Sequence, residues 1–191
     1  RLLLNSRSAA FPNGLANGSG QVGRNLLDTP AVGIEARVPQ LEDLPAFNDD
    51  GVSLYHVNTP WWRYEDQRRG KLDFARGYQI EFWGGRRLPE FDDMAGMADA
   101  IVGDGVYGVD LHRQMKRRFG SSVYLSGRGE MLPNPGSYAD LDPVMRDRFG
   151  LPVLRFYWRW GDDERAQMAN ARSTLAAVFK SMNAEILTDI D

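Results

Sequence analysis

The chain contains no cysteine. Disulfides, thiolate zinc sites, iron–sulfur ligation and cysteine nucleophiles are therefore excluded. A chain without thiols suits either redox compartment, so the absence does not choose between them. Basic excess is also missing: the formal net charge is -3, with 26% charged residues. Nucleic-acid binders carry a basic surplus. The clusters Arg68-Arg69, Arg86-Arg87 and Lys116-Arg117-Arg118 have acidic residues nearby and read as solvated faces. No apolar run approaches the ~18 residues of a spanning helix. Arg1-Leu2-Leu3-Leu4 is too short for a signal-peptide core and reads as a helix cut in its middle. The expectation is a soluble chain, cytoplasmic or periplasmic.

Histidine is scarce too, with only His56 and His112. No H-x-x-H or H-E-x-x-H spacing exists, so no metal site is expected. His112 falls on a basic helix and reads as solvent-exposed; His56 falls in a strand and reads as structural. Without a thiol or a G-x-S-x-G elbow, nucleophilic catalysis has no support.

What is present suffices for one sizeable core: 191 residues, 42% of them hydrophobic. Asn13 to Gly23 and Pro39 to Gly51 lack periodicity and read as loops. Val32, Ile34, Ala36 and Val38 alternate with Gly33, Glu35 and Arg37, the period-2 pattern of a half-buried strand. Val52 to Asn58 is a second strand candidate. Gly77 to Gly84 is a third, with Tyr78, Ile80 and Phe82 on one face and Gln79, Glu81 and Trp83 on the other. Ser121 to Met131 and Ser137 to Leu141 flank the turn Pro133-Asn134-Pro135-Gly136, which suggests a hairpin. Pro152 to Trp160 is the sixth strand candidate, with Arg155, Tyr157 and Arg159 opposite Leu154, Phe156, Trp158 and Trp160.

Two helices are expected. Asp110 to Phe119 is basic at its end and stops at Gly120. Asp163 to Met182 has Asp162 as the expected N-cap and Met168, Leu175, Val178, Phe179 and Met182 as its apolar stripe. Strands that alternate, with helices not regularly interleaved, predict an α+β fold. Its expected form is a mostly antiparallel sheet of about six strands with helices on one face.

Gly103-Asp104-Gly105-Val106-Tyr107-Gly108 matches G-x-G-x-x-G, and Glu130 follows about twenty residues on, as at a ribose-binding acid. The preceding Ala98 to Val102 is short and alanine-rich, and no second βαβ unit follows. The segment from Asp92 to Gly103 fits a turn or weak helix, so the motif reads as a loop before a helix. The aromatic groups Trp61-Trp62-Arg63-Tyr64, Phe82-Trp83 and Phe156-Tyr157-Trp158-Arg159-Trp160 mix ring faces with hydrogen-bonding groups, as sugar and polyol sites do.

Longer stretches carry a family resemblance. They are Arg1 to Ser6, Phe11-Pro12-Asn13-Gly14-Leu15-Ala16-Asn17, and Gly20-Gln21-Val22-Gly23-Arg24-Asn25-Leu26-Leu27-Asp28. Phe74 to Phe82, Gly127 to Asn134 and Asp147 to Phe156 extend the match over nearly the whole chain. The chain resembles the substrate-domain portion of the glucose-methanol-choline (GMC) family of flavin-dependent oxidoreductases. The F-P-N-G-L-A-N segment resembles the bacterial branch of gluconate, fructose and glucoside 3-dehydrogenase large subunits.

The resemblance implies a single substrate-binding (cap) domain fragment over 1–191, with 1–28 the junction towards an absent FAD-binding domain. It implies FAD in the intact protein, oxidation of the CH–OH group of a sugar, sugar acid or polyol, and no catalytic residue within this fragment. The catalytic histidine segment and the dinucleotide fingerprint would lie outside it. A small subunit or a cytochrome is an expected electron-accepting partner. By resemblance, Val22, Gly23, Arg24 and Asn25 lie near the flavin. Gln79, Glu81, Arg155 and Tyr157 are the expected substrate contacts, on the polar face of one sheet. A non-redox carbohydrate-binding or assembly module, and a nicotinamide-binding protein using Gly103 to Gly108, are rival readings.

Overall fold

A computed structural model describes residues 1–44, 55–84 and 91–190. In chain order the elements are α1 (Leu2–Asn5), β1 (Ala31–Arg37), β2 (Tyr55–Thr59), α2 (Tyr64–Arg68), β3 (Tyr78–Gly84), α3 (Phe91–Gly103) and α4 (Gly108–Arg118). Then follow β4 (Ser122–Gly129), β5 (Tyr138–Arg146), β6 (Pro152–Tyr157), α5 (Asp162–Ser181) and β7 (Glu185–Ile190). The fold is α+β. A five-stranded sheet runs β2-β3-β4-β1-β7, antiparallel throughout, and β5 and β6 form a separate two-stranded ribbon.

The alternation read from the sequence decides which face is covered. Val32, Ile34 and Ala36 of β1, Leu125 of β4 and Tyr78 and Ile80 of β3 share one face and are buried. Met168, Ala171, Leu175 and Phe179 of α5 pack on them in one cluster. Val178 and Met182 pack partly buried at its edge. Two glycines let the helix approach. A Cβ on Gly127 would meet the Ala171 Cβ at 2.9 Å, and one on Gly129 would meet Gln167 Oε1 at 1.8 Å. Each large aliphatic side chain removed from water here contributes roughly 1.5–3 kcal/mol before entropy is counted.

Tyr78 is fixed from the helix side, its hydroxyl bonded to Asn170 Oδ1 and to Thr174 Oγ1, each at 2.9 Å. The start of α5 is set by Glu164, whose carboxylate is buried. One oxygen accepts from the Gly161 amide at 2.6 Å and the other from the Leu132 amide at 2.8 Å. Gly161 is therefore the N-cap and Asp162 the first helical residue, one position from the sequence expectation.

The expected hairpin between Ser121–Met131 and Ser137–Leu141 does not form. Strand β4 is interior, with β3 on one edge and β1 on the other, so it has no free edge for β5. Strand β5 pairs with β6 instead, which moves Arg155 and Tyr157 off the main sheet. Strand β7 fills the edge beside β1, with a bulge between Glu35 and Ala36, and is tied by Arg37–Glu185 and Arg172–Asp189 pairs. The sequence reading assigned no strand there.

The G-x-G-x-x-G segment joins α3 to α4, with φ of +81° at Gly105 and +63° at Gly108. A helix precedes it where a dinucleotide fingerprint needs a strand. Helix α4 ends at Arg118, ahead of Gly120 at φ +73°. Arg86-Arg87 and part of Val52–Asn58 lie outside the described residues, as does the His56 side chain.

Candidate functional site

Alternation leaves one face of the sheet polar. Gln79, Glu81 and Trp83 of β3 point away from α5, as do Tyr124, Ser126 and Arg128 of β4 and Gly33 of β1, by their register. Glu81 lies at the centre of this face with only 6% of its surface exposed. It accepts from Arg128 Nε at 2.5 Å, from Gln79 Nε2 at 3.1 Å and from the Trp83 indole at 3.3 Å. A cationic partner and several donors satisfy the oxygens of this enclosed carboxylate. Beside it Ser126 is fully buried, and its Oγ has no hydrogen-bond partner among the described residues. Tyr124 lies over Gly33, where a Cβ would meet the phenol oxygen at 2.1 Å. Carboxylate, guanidinium, carboxamide, hydroxyls and indole thus share one surface. Such a set offers both donors and acceptors for hydrogen bonding to hydroxyl groups.

The ribbon forms a second group. Arg155 makes a bidentate pair with Asp140, Nε and Nη2 each 2.8 Å from a carboxylate oxygen. This bond holds the Asp140 carboxyl below its ordinary value and pushes Arg155 above its own. Tyr157 stacks on Tyr138 at 4.5 Å and 22° between planes. The Arg24 guanidinium covers the Tyr138 ring at 4.9 Å, and that of Arg155 lies 5.5 Å from the Tyr157 ring centre.

The turn Val22–Asn25 docks on this ribbon. The Gly23 carbonyl accepts from the Ala139 amide at 2.7 Å, and the Leu26 amide donates to Ser137 at 2.8 Å. Asn17, which the sequence reading did not single out, builds the turn: its Oδ1 accepts from the Val22 amide at 3.1 Å and its Nδ2 donates to Asn13 at 2.9 Å. Gly23 has φ +84°, and a Cβ there would meet the Ala139 oxygen at 2.2 Å. The ribbon alone therefore accounts for glycine at 23. Asn25 has φ +52°. The amides of Gly23 and Asn25 donate to no acceptor among the described residues. Two free amides in a positive-φ turn fit a phosphate or ring-carbonyl acceptor.

The eight expected contacts thus fall into two groups. Gln79 and Glu81 share the sheet face, while Arg155 and Tyr157 join Val22, Gly23, Arg24 and Asn25 at the ribbon. The expectation that all four substrate candidates lie on one sheet face is corrected by the β5–β6 pairing. Arg128 and Ser126 join the site by register alone, which the sequence does not print. Of the aromatic groups, Trp83 belongs to the polar face and Phe82 packs against the core. Among the described residues no cluster of His, Asp and Glu could hold a metal, and no helix is long and apolar enough to cross a membrane.

No family model matches the chain. It is similar to the fructose dehydrogenase large subunit of Gluconobacter japonicus, 26% identical over 182 residues. The match covers 95% of this chain and 31% of that protein, so the chain spans about a third of its relative's length. The likeness relates the chain to an oxidoreductase.

Proposed function

We propose that the chain is the substrate-domain portion of an FAD-dependent oxidoreductase of the GMC family, acting on the CH–OH group of a sugar, sugar acid or polyol. The observation that carries this reading is the match to a sugar dehydrogenase subunit over 95% of the chain. The polar face supports it, because the ligand class and the donor set agree.

In this reading the sheet's polar face binds substrate. The Glu81 carboxylate accepts hydrogen bonds from sugar hydroxyls, Gln79 and Arg128 donate to sugar oxygens, and Trp83 excludes water from one side. Arg128 and Trp83 already bond Glu81, so the acceptor is oriented before substrate arrives. The turn Val22–Asn25 would hold the cofactor through the amides of Gly23 and Asn25. Tyr138, beneath Arg24, would back that turn, with Tyr157 and Arg155 supporting it from the ribbon. The chemistry that bound FAD supplies is hydride acceptance from the carbinol carbon. By the family resemblance, the proton acceptor would be a histidine outside residues 1–191. The relative's name marks it as one subunit of an assembly, and in this reading a small subunit or a cytochrome would take the electrons.

The test is purification of the full-length gene product, followed by its flavin spectrum and a panel of sugars, sugar acids and polyols with an artificial electron acceptor. Flavin with turnover of one of these classes is expected. A product that turns none of them over, or that lacks flavin, removes the reading.

A further inference from the structure

At the end of the sheet where β3 begins and β4 finishes lies a cleft of about 890 Å³, shared by Gln79 and Arg128 of the polar face. One wall is aromatic, formed by Trp61 and Tyr64. Trp61 is locked in place. Its indole donates to Gln67 Oε1 at 2.8 Å, its ring leans on Tyr78 at 4.8 Å, and it covers the bare Cα of Gly77, where a Cβ would fall 2.6 Å from it. The charged residues of the lining are Arg68, Arg76 and Arg128, with Glu130 as the only acid among the described residues. Arg68 pairs with Glu65 at 3.0 Å and Arg128 with Glu81 at 2.5 Å, and neither of those carboxylates lines the cleft. Among the described residues Arg76 pairs only with Glu130, at 4.0 Å, with both side chains more than half exposed. Arg68 and Arg128 are thus already satisfied by Glu65 and Glu81, and Arg76, loosely held by Glu130, is the guanidinium left for a ligand beside a rigid ring face.

The geometry points to a binding cleft for a uronic acid, a pyranose bearing a carboxylate, with its C–H face on Trp61 and its carboxylate on Arg76. Guanidinium donates paired hydrogen bonds to the two oxygens of a carboxylate, an acceptor that a neutral sugar does not offer. A fixed aromatic wall selects a ring over a small anion. Gln79 lies between the carboxylate end and the polar face and hydrogen-bonds ring hydroxyls. The carbohydrate class rests on the function proposed above; the acid rests on the cleft's own arginines.

The test compares D-glucuronate with D-glucose, a pair differing only in the oxidation state of C6, by calorimetric titration of the full-length gene product. Acetate serves as the anion control. Glucuronate binding about tenfold or more tighter than glucose is expected, lost in Arg76→Ala, partly retained in Arg76→Lys and strengthened in Glu130→Gln. Glucose affinity is expected to be unchanged by Arg76→Ala. Equal binding of glucuronate and glucose, equal binding of acetate, or indifference to Arg76→Ala overturns the proposal. Flavin content separates the two claims. Arg76-dependent glucuronate binding in a flavin-free product keeps the cleft and removes the oxidoreductase reading. A flavoprotein that oxidises a sugar but shows no such binding does the reverse.

Discussion

Glu81 accepts from the Arg128 guanidinium at 2.5 Å across β3 and β4, with the Glu81 side chain 8% exposed and that of Arg128 42% exposed. The pair is diagonal, since Glu81 itself stands opposite Ser126. Arg128→Ala leaves an enclosed carboxylate on its Gln79 and Trp83 donors. The expected loss is about 1–3 kcal/mol, read as a lower urea midpoint with unchanged slope. Glu81→Gln is expected to cost less, because no buried charge remains. If Glu81 binds substrate, both variants also raise KM.

Glu164 ties the first turn of α5 to the strand-exit loop through Gly161 and Leu132. Glu164→Ala frees both amides at a buried position. A loss of about 2–4 kcal/mol is expected, from two hydrogen bonds to one charged group. Glu164→Gln retains an acceptor and is expected to recover part of it. Thermal or urea unfolding of both variants checks the order.

Gly23 and Gly105 both have positive φ, but their surroundings differ. Gly23→Ala drives a Cβ to 2.2 Å from the Ala139 oxygen, whereas Gly105→Ala meets nothing within 4 Å. Gly105→Ala is expected to cost about 1–2 kcal/mol, from backbone strain alone. Gly23→Ala is expected to add about 1–3 kcal/mol of overpacking and to release the turn from the ribbon. Faster hydrogen exchange at the Leu26 and Ala139 amides in Gly23→Ala, and not in Gly105→Ala, is the check.

The ribbon is acid-sensitive. Asp140 is held below its ordinary 3.8 first by the Arg155 hydrogen bond, Asp142 by the Met145 and Val144 amides, and Asp147 by Arg1 and the Leu151 amide. A carboxylate depressed in the folded state stabilises it above the unfolded value. That contribution fades as pH falls through the folded one. All three groups are partly exposed, so screening keeps each contribution small. The near-ultraviolet circular dichroism of the Tyr138–Tyr157 stack is expected to fade below about pH 4, ahead of the far-ultraviolet signal. In Asp140→Asn the stack signal is expected to be weaker at neutral pH and flatter against pH.

Where one face is buried and the other is not, the sequence was readable. The alternation of β1 and β3 and the stripe of α5 name their own core residues, and the parity of Gln79 and Glu81 follows. Strand β7 was not readable. Its Ile186 and Leu187 are both about half exposed, so no contrast between faces marks it. The Pro133–Gly136 turn told that the chain reverses, not which edge was free to receive β5. Arg128 reaches Glu81 only through the β3–β4 register, and Gly23 meets Ala139 across more than a hundred residues. Neither relation leaves a local pattern.

The most direct test of the account is the visible spectrum of the full-length gene product under anaerobic titration with sugars, sugar acids and polyols. A flavin band that bleaches with one of these classes, at a higher half-saturating concentration in Glu81→Gln, is the predicted result. A colourless protein, or a flavin band that no member of these classes bleaches, would contradict it.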